Sequence, residues 1–145
     1  MATKIFINLP VKELKRSMDF FTKLGFSFNP RFTDQNAACL VISDSIYAML
    51  VMEKFFLTFT KKQVCNTATH AETINAIAVG SRQQVDTIMQ AALKAGAIEH
   101  RPAQDYGWMY GRSFQDLDGH LWEVFHMDES KAGQAAASAP GHASV

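Results

Sequence analysis

Among the side chains of this chain that could move a proton or hold a ligand, Glu123 has the most telling surroundings. It lies in the run Asp116-Leu117-Asp118-Gly119-His120-Leu121-Trp122-Glu123-Val124, where turn residues give way to alternating positions. Gly tolerates positive φ and an Asp side chain can bond its own backbone, so the run predicts a tight turn followed by a strand. On that strand Leu121, Glu123 and Phe125 share one face, and His120, Trp122, Val124 and His126 share the other. A carboxylate flanked by Leu and Phe is either exposed by chance or placed for chemistry. Held in an apolar hollow without a cation it would bind its proton more tightly, and could then act as a general base or hydrogen-bond a ligand. Glu123 is therefore the candidate catalytic residue. The plainer alternative is a glutamate satisfied by a neighbouring arginine, hydroxyl or water. Arg112 and Ser113, on what should be the adjacent strand, are the candidate partners.

Other constellations are weaker. The five histidines are His70, His100, His120, His126 and His142, and His120-x-x-Glu123-x-x-His126 has the composition of a two-histidine, one-carboxylate metal site. On a strand, however, the two-residue period points Glu123 away from both histidines. Cys39 and Cys65 lack Cys-x-x-Cys spacing and read as packed or inert thiols. The segment Gln104-Asp105-Tyr106-Gly107-Trp108-Met109-Tyr110-Gly111 is aromatic and punctuated by glycines, which suits a mobile loop bordering a pocket for a flat or apolar molecule. Trp108 and Tyr110 are its candidate ligand contacts; their alternative role is to cap the core or a subunit contact.

The elements that must position these residues occur twice. Ile5 to Val11 reads as a strand and Leu14 to Leu24 as a helix ended by Gly25. Phe26 to Phe32, Ala37 to Ile42 and Ile46 to Met52 read as strands, the last two joined across Ser43-Asp44-Ser45. The order then repeats, with a strand at Thr73 to Val79 and a helix at Arg82 to Ala95 ended by Gly96. Strands follow at Ala97 to His100, Met109 to Phe114 and His120 to His126. Met18 to Gly25 aligns with Met89 to Gly96, and Asp44 to Met49 with Asp118 to Glu123, so a tandem repeat is the economical reading. The first module spans about 4–53, a linker about 54–72, and the second module about 73–128. The linker's Phe55-Phe56-Leu57-Thr58-Phe59-Thr60 is too aromatic for a loose tether and predicts a short helix or covering loop. Residues 129–145, rich in Ala, Ser, Gly and Pro, read as a disordered tail.

Composition excludes several function classes. With 48% hydrophobic and 11% aromatic residues over 145 positions, the chain can build a sizeable core. Its formal net charge of zero offers no field to recruit nucleic acid or anionic lipid. Met1 to Pro10 shows neither a signal-peptide apolar run nor a membrane span, which predicts a cytoplasmic protein with no membrane partner.

From about Lys4 to Met127 the chain resembles the vicinal oxygen chelate superfamily, which includes glyoxalase I, bleomycin-resistance proteins and extradiol dioxygenases. The residues that carry the resemblance are Val11-Lys12-Glu13-Leu14-Lys15-Arg16-Ser17-Met18-Asp19-Phe20-Phe21 with Leu24-Gly25-Phe26, and the Asp116 to Glu123 run. Within the superfamily the chain looks most like predicted bacterial lactoylglutathione lyases. The resemblance implies an α+β fold of two tandem βαβββ modules, their mixed sheet curled around a cup, and a homodimer.

It also implies four pseudo-symmetric metal-ligand positions, which fall here at Phe6, Met49, Ile74 and Glu123. Only Glu123 is a competent hard-metal ligand, since a Phe, an Ile and a thioether cannot supply the donors that Zn²⁺, Fe²⁺, Mn²⁺ or Ni²⁺ require. No cofactor is therefore expected at the standard site, and a Lewis-acid mechanism there loses its source of charge stabilisation. The expected function is binding of a small apolar or aromatic molecule in a metal-poor cup lined by Phe6, Met49, Ile74, Glu123 and Phe125, with Trp108, Tyr110 and Arg112 nearby. The alternative is a lyase or isomerase of the glyoxalase type, using metal through non-standard ligands or using Glu123 as a metal-independent base.

Overall fold

The computed structural model describes residues 3–131; residues 132–145, most of the expected tail, lie outside the described residues. Two compact units divide between His70 and Ala71.

In the first unit, β1 (Ile5–Val11), α1 (Leu14–Lys23), β2 (Ser27–Asn29), β3 (Ala37–Val41) and β4 (Ile46–Met52) follow in order, then the single turn of α2 (Glu53–Phe56). The strands form one mixed sheet in the order β1-β4-β3-β2, with β1 parallel to β4 and the other pairs antiparallel. Cross-strand partners place Leu9, Ala38, Leu40, Ala48 and Leu50 on one face, all buried. Helix α1 packs against this sheet through Leu14, Phe20 and Phe21. The expected strand from Phe26 to Phe32 stops at Asn29. Pro30 has no N–H for a ladder, and the chain turns in a 3-10 helix whose Arg31 N–H donates to the Asn29 side chain. The linker's aromatic run supplies α2, whose Phe55 meets Phe59 edge to face.

The second unit repeats the plan with β5 (Ile74–Ala78), α3 (Arg82–Lys94), β6 (Ile98–Asp105), β7 (Met109–Gln115) and β8 (Leu121–Met127), in the sheet order β5-β8-β7-β6. Trp122, Val124 and Phe114 face α3, which buries Val85, Ile88, Met89 and Ala92. The α+β class and the tandem βαβββ order expected from the sequence are what the structure has, as two separate four-stranded mixed sheets.

Both long helices end in the same way. Gly25 (φ 100°) and Gly96 (φ 109°) sit just past the last turn. The N–H of Phe26 donates to Phe21 O and that of Ala97 to Ala92 O, while each glycine N–H donates three residues back. These paired bonds satisfy carbonyls that the helix cannot, and the positive φ they need is one that Gly adopts without strain. Of these two helices α3 has a side-chain N-cap: Ser81 Oγ accepts from the Gln84 N–H at 3.0 Å, and Gln84 Oε1 accepts from the Gly80 N–H at 3.1 Å.

The turn into β8 is built around one carboxylate. Asp116 is 7% exposed. Its Oδ1 accepts from the N–H groups of Asp118 (2.9 Å) and His120 (3.0 Å), and its Oδ2 accepts from Trp122 Nε1 at 2.9 Å. Burial pushes its proton affinity up, against the pull of His120, the indole N–H and the two backbone amides.

Two outcomes test this account. Gly96→Ala should destabilise more than Gly25→Ala in urea unfolding. Each costs about 1–2 kcal/mol for the left-handed backbone, but a Cβ at Gly96 would lie 3.1 Å from Leu117 Cδ2 and one at Gly25 would meet nothing within 4 Å. Trp122→Phe should cost at least about 2 kcal/mol, because it removes a hydrogen bond to a buried charged group; an unchanged urea midpoint would contradict the role given to Asp116.

Candidate functional site

Because Trp122 is drawn to Asp116 and packs under α3, the next residue along β8 must face the other way. Glu123 accordingly points from the opposite face of the second sheet, yet is only 6% exposed. Its neighbour on β5 is Ala76 and on β7 is Ser113, which in turn pairs with Arg101 of β6. Arg101, Ser113, Glu123 and Ala76 thus form one row across four strands.

Arg101 enters that row through a register shift. Glu99 pairs with Phe114, and an unbroken antiparallel ladder would set His100 opposite Ser113; the irregularity between Glu99 and Arg101 sets Arg101 there instead. A one-residue bulge exchanges the two faces of a strand, so it decides whether an imidazole or a guanidinium reaches Glu123. A second shift follows between Arg101 and Gln104, around Pro102.

Arg101 Nη2 lies 3.5 Å from Glu123 Oε2, while Glu123 Oε1 and Ser113 Oγ, both buried, have no hydrogen-bond partner among the described residues. Burial raises the proton affinity of Glu123 above the ordinary glutamate range, and the Arg101 charge opposes that shift without cancelling it. A small, partly open pocket lies beside the pair, lined by Arg101, Pro102, Gln104, Gly111, Arg112, Ser113, Glu123 and Phe125.

The remaining expected site residues are distributed as follows. Phe6 and Met49 belong to the first unit, on the face of its sheet opposite α1; Phe6 is 42% exposed and stacks on Tyr47 with ring centroids 4.6 Å apart. Ile74 shares the Glu123 face but pairs with Leu121, one step removed from Glu123, and is 51% exposed. Phe125 packs with Trp108 and Met109 in a small apolar cluster, so Trp108 supports the pocket floor.

Arg112 and Tyr110 point elsewhere. They alternate with Ser113 and Gly111 and therefore face α3. Tyr110 Oη donates to Asp86 at 2.6 Å, and Arg112 binds Asp86 (3.3 Å) and Glu99 (3.2 Å). Arg112 as a partner of Glu123 is thus corrected to Arg101, and Tyr110 as a ligand contact to a fastener between α3 and β7. Arg82 completes that outer network by pairing with Asp105 and covering the Tyr110 ring at 4.4 Å.

The glycine-rich segment is a pinned hairpin end in place of the expected mobile loop. Tyr106 N–H donates to Met109 O at 2.9 Å, Gly107 N–H to Asp105 Oδ1 at 3.0 Å, and Tyr106 Oη to Gln104 Oε1 at 3.0 Å. His126 faces away from Glu123, its Nδ1 3.0 Å from Val79 O.

Around Glu123 the donor set does not fit a hard divalent ion. Its row holds a guanidinium, a hydroxyl and an alanine, and one carboxylate oxygen already faces the cation. Among the described residues no three His, Cys, Asp or Glu side chains are grouped for a metal.

These features define a protein with the glyoxalase/bleomycin-resistance fold. Residues 3–43 match the family model described as bleomycin resistance protein-like N-terminal. The structure is similar to that of hypothetical protein SA1046 from S. aureus (TM-score 0.73, 24% identity, covering 87% of this chain and 95% of that one). It is also similar to a glyoxalase/bleomycin resistance protein/dioxygenase family enzyme from Burkholderia phytofirmans PsJN (TM-score 0.71, 12% identity, 87% and 99% covered). A third likeness is to a bleomycin resistance determinant encoded on the transposon Tn5 (TM-score 0.61, 14% identity, 88% and 99% covered). No curated protein matches the chain in sequence. The family model over residues 3–43 and these structures agree with the glyoxalase/bleomycin-resistance fold that the resemblance implied. Nothing among them singles out the lactoylglutathione lyases.

The raised proton affinity of Glu123 makes a signed prediction. The folded state holds this proton at pH values where the unfolded chain, near about 4.3, has released it. Stability should therefore fall as pH rises from that value through the folded one. Asp116 contributes with the same sign, so the test is a difference: Glu123→Gln should flatten the profile relative to wild type over that window. In Arg101→Gln, which removes the opposing cation, carbon-13 NMR should find the Glu123 carboxyl titrating higher still. A downward move would refute the stated electrostatics.

Proposed function

We propose that this chain binds a small organic molecule with an apolar or aromatic body in the pocket beside Glu123, and that it does so without a metal ion at the centre. The observation that carries this reading is the buried Glu123 carboxylate, with one oxygen turned to Arg101 and the other unpartnered beside Ser113. The arrangement supplies a few oriented polar groups over an apolar floor of Phe125, which is the general make-up of a small-molecule site. Work as a cytoplasmic homodimer belongs to the same proposal; no described helix is long and apolar enough to cross a membrane.

A second reading, metal-independent proton transfer by Glu123 in a lyase or isomerase of the glyoxalase type, is favoured by the unpartnered oxygen and by the raised proton affinity of its carboxyl.

Elemental analysis of protein purified without chelators should find sub-stoichiometric zinc, nickel, iron and manganese, and EDTA should leave the melting temperature unchanged. Stoichiometric metal whose removal lowers that temperature would overturn the metal-free reading, since a ligand of the folded state stabilises it. Turnover of methylglyoxal with glutathione separates the two roles. Binding alone predicts none above background; a rate that Glu123→Gln lowers by about 10²–10⁴-fold would establish general-base catalysis instead.

A further inference from the structure

The charges around the pocket are unequal in reach. Glu123 Oε1 is buried, and Oε2 faces Arg101. The Arg101 side chain is 35% exposed and, among the described residues, has Glu123 as its one charged partner, a single contact at 3.5 Å. A guanidinium carries five N–H donors in a planar fork, so most of those of Arg101 remain uncommitted at the pocket wall. The other arginine in that wall, Arg112, directs its guanidinium to Asp86 and Glu99 behind the sheet. A guest entering the pocket therefore meets accessible cationic donors before it can reach an anionic acceptor. Its apolar body would lie along Phe125 and Pro102, where Gly111 keeps the floor low: a Cβ there would sit 3.2 Å from the Phe125 Cβ.

Resting on the pocket reading above, we propose that the guest is a small organic acid, its carboxylate gripped by the Arg101 fork and its ring or chain on Phe125, with Glu123 accepting a proton from solvent as the acid enters. Fork-to-carboxylate pairing is the geometry a guanidinium serves best. It places a second carboxylate beside Glu123, and two like charges so close favour protonation of one of them. The groups facing Glu123 are Arg101 from β6, Ser113 from β7 and Ala76 from β5, with Phe125 beside it on β8. Only Glu123 among these has a carboxylate that can take up the proton. The balance is one acid anion and one proton bound, with the guanidinium shifted from Glu123 to the guest and no covalent bond changed. An amine guest is disfavoured, because it would have to displace Arg101 to reach a buried oxygen.

Benzoate, benzamide and benzylamine form a matched probe set of similar shape and different charge. With the full chain, titration calorimetry and thermal melting should show benzoate binding at least about tenfold more tightly than either other probe, a step of about one charge-assisted hydrogen bond. Repeating the titration in buffers of different ionisation heat should reveal net proton uptake with benzoate. Arg101→Gln should lose benzoate binding while still melting cooperatively, and Arg101→Lys, which keeps the charge without the fork, should bind at intermediate strength. Glu123→Gln should bind benzoate with no proton uptake. Preference for benzylamine or benzamide, or benzoate binding indifferent to Arg101→Gln, would overturn the organic-acid assignment while leaving the pocket in place. Failure of all three probes would overturn both the assignment and its foundation.

Discussion

The Asp116 carboxylate, buried at the turn before β8, is the constraint on which the candidate site depends. It accepts from two backbone amides of the turn and from the indole of Trp122, so it holds both the backbone entry to the strand and the side-chain face of one residue on it. A strand has a two-residue period, and a one-residue slip would exchange its faces. Anchoring Trp122 under α3 therefore commits Glu123 to the opposite face beside Ser113. A buried carboxylate is costly unless its lone pairs are met, and three donors meet these.

The two units share construction more than content. Both chains of elements run strand, helix and three strands, with the first strand parallel to the fourth, and both long helices finish on a glycine at positive φ. Equivalent positions also follow from register: Phe6 pairs with Tyr47 and Ile74 with Leu121, each two residues before Met49 or Glu123 on the fourth strand. Chemistry does not repeat with construction. Where the second unit carries Glu123 between Ala76 and Ser113, the first carries Met49 between Asn8 and Cys39. Backbone needs are met by small residues at turns and caps, whereas the face of a sheet away from its helix is open to substitution by function.

The two faces of the second sheet divide the polar work. Toward α3, Arg82, Asp86, Glu99, Asp105, Tyr110 and Arg112 form a network whose members are nearly all mutually matched. On the other face Arg101 and Glu123 make one long contact, and two polar atoms there lack partners. Unmatched buried polar atoms cost stability; Glu123 Oε1 and Ser113 Oγ lie on neighbouring strands at the pocket wall, where a guest can meet them, while on the α3 face Arg112 Nε and Asn75 Nδ2 also lack partners among the described residues.

Local signals determined much of this protein. Helix periodicity with terminal glycines, turn dipeptides and alternating strands were sufficient for the element order, the tandem repeat, the superfamily resemblance and the face on which Glu123 lies, because each depends on residues within a few positions of one another. Ends moved where a local rule was overridden: β2 stops at Pro30, and β6 runs on past His100 to Asp105 through two register shifts. The partner of Glu123 was not legible in the sequence. Alternation from Glu99 would offer His100, and its place on the adjacent strand suggested Arg112, but a bulge on β6 brings in Arg101 and the helix layer claims Arg112. The sequence alone therefore determined the element order and singled out Glu123 among its candidate side chains, but it did not mark Arg101. Only the tertiary structure decided which of them meet, because strand register and burial are set by contacts between distant segments, and local composition carries no record of those contacts.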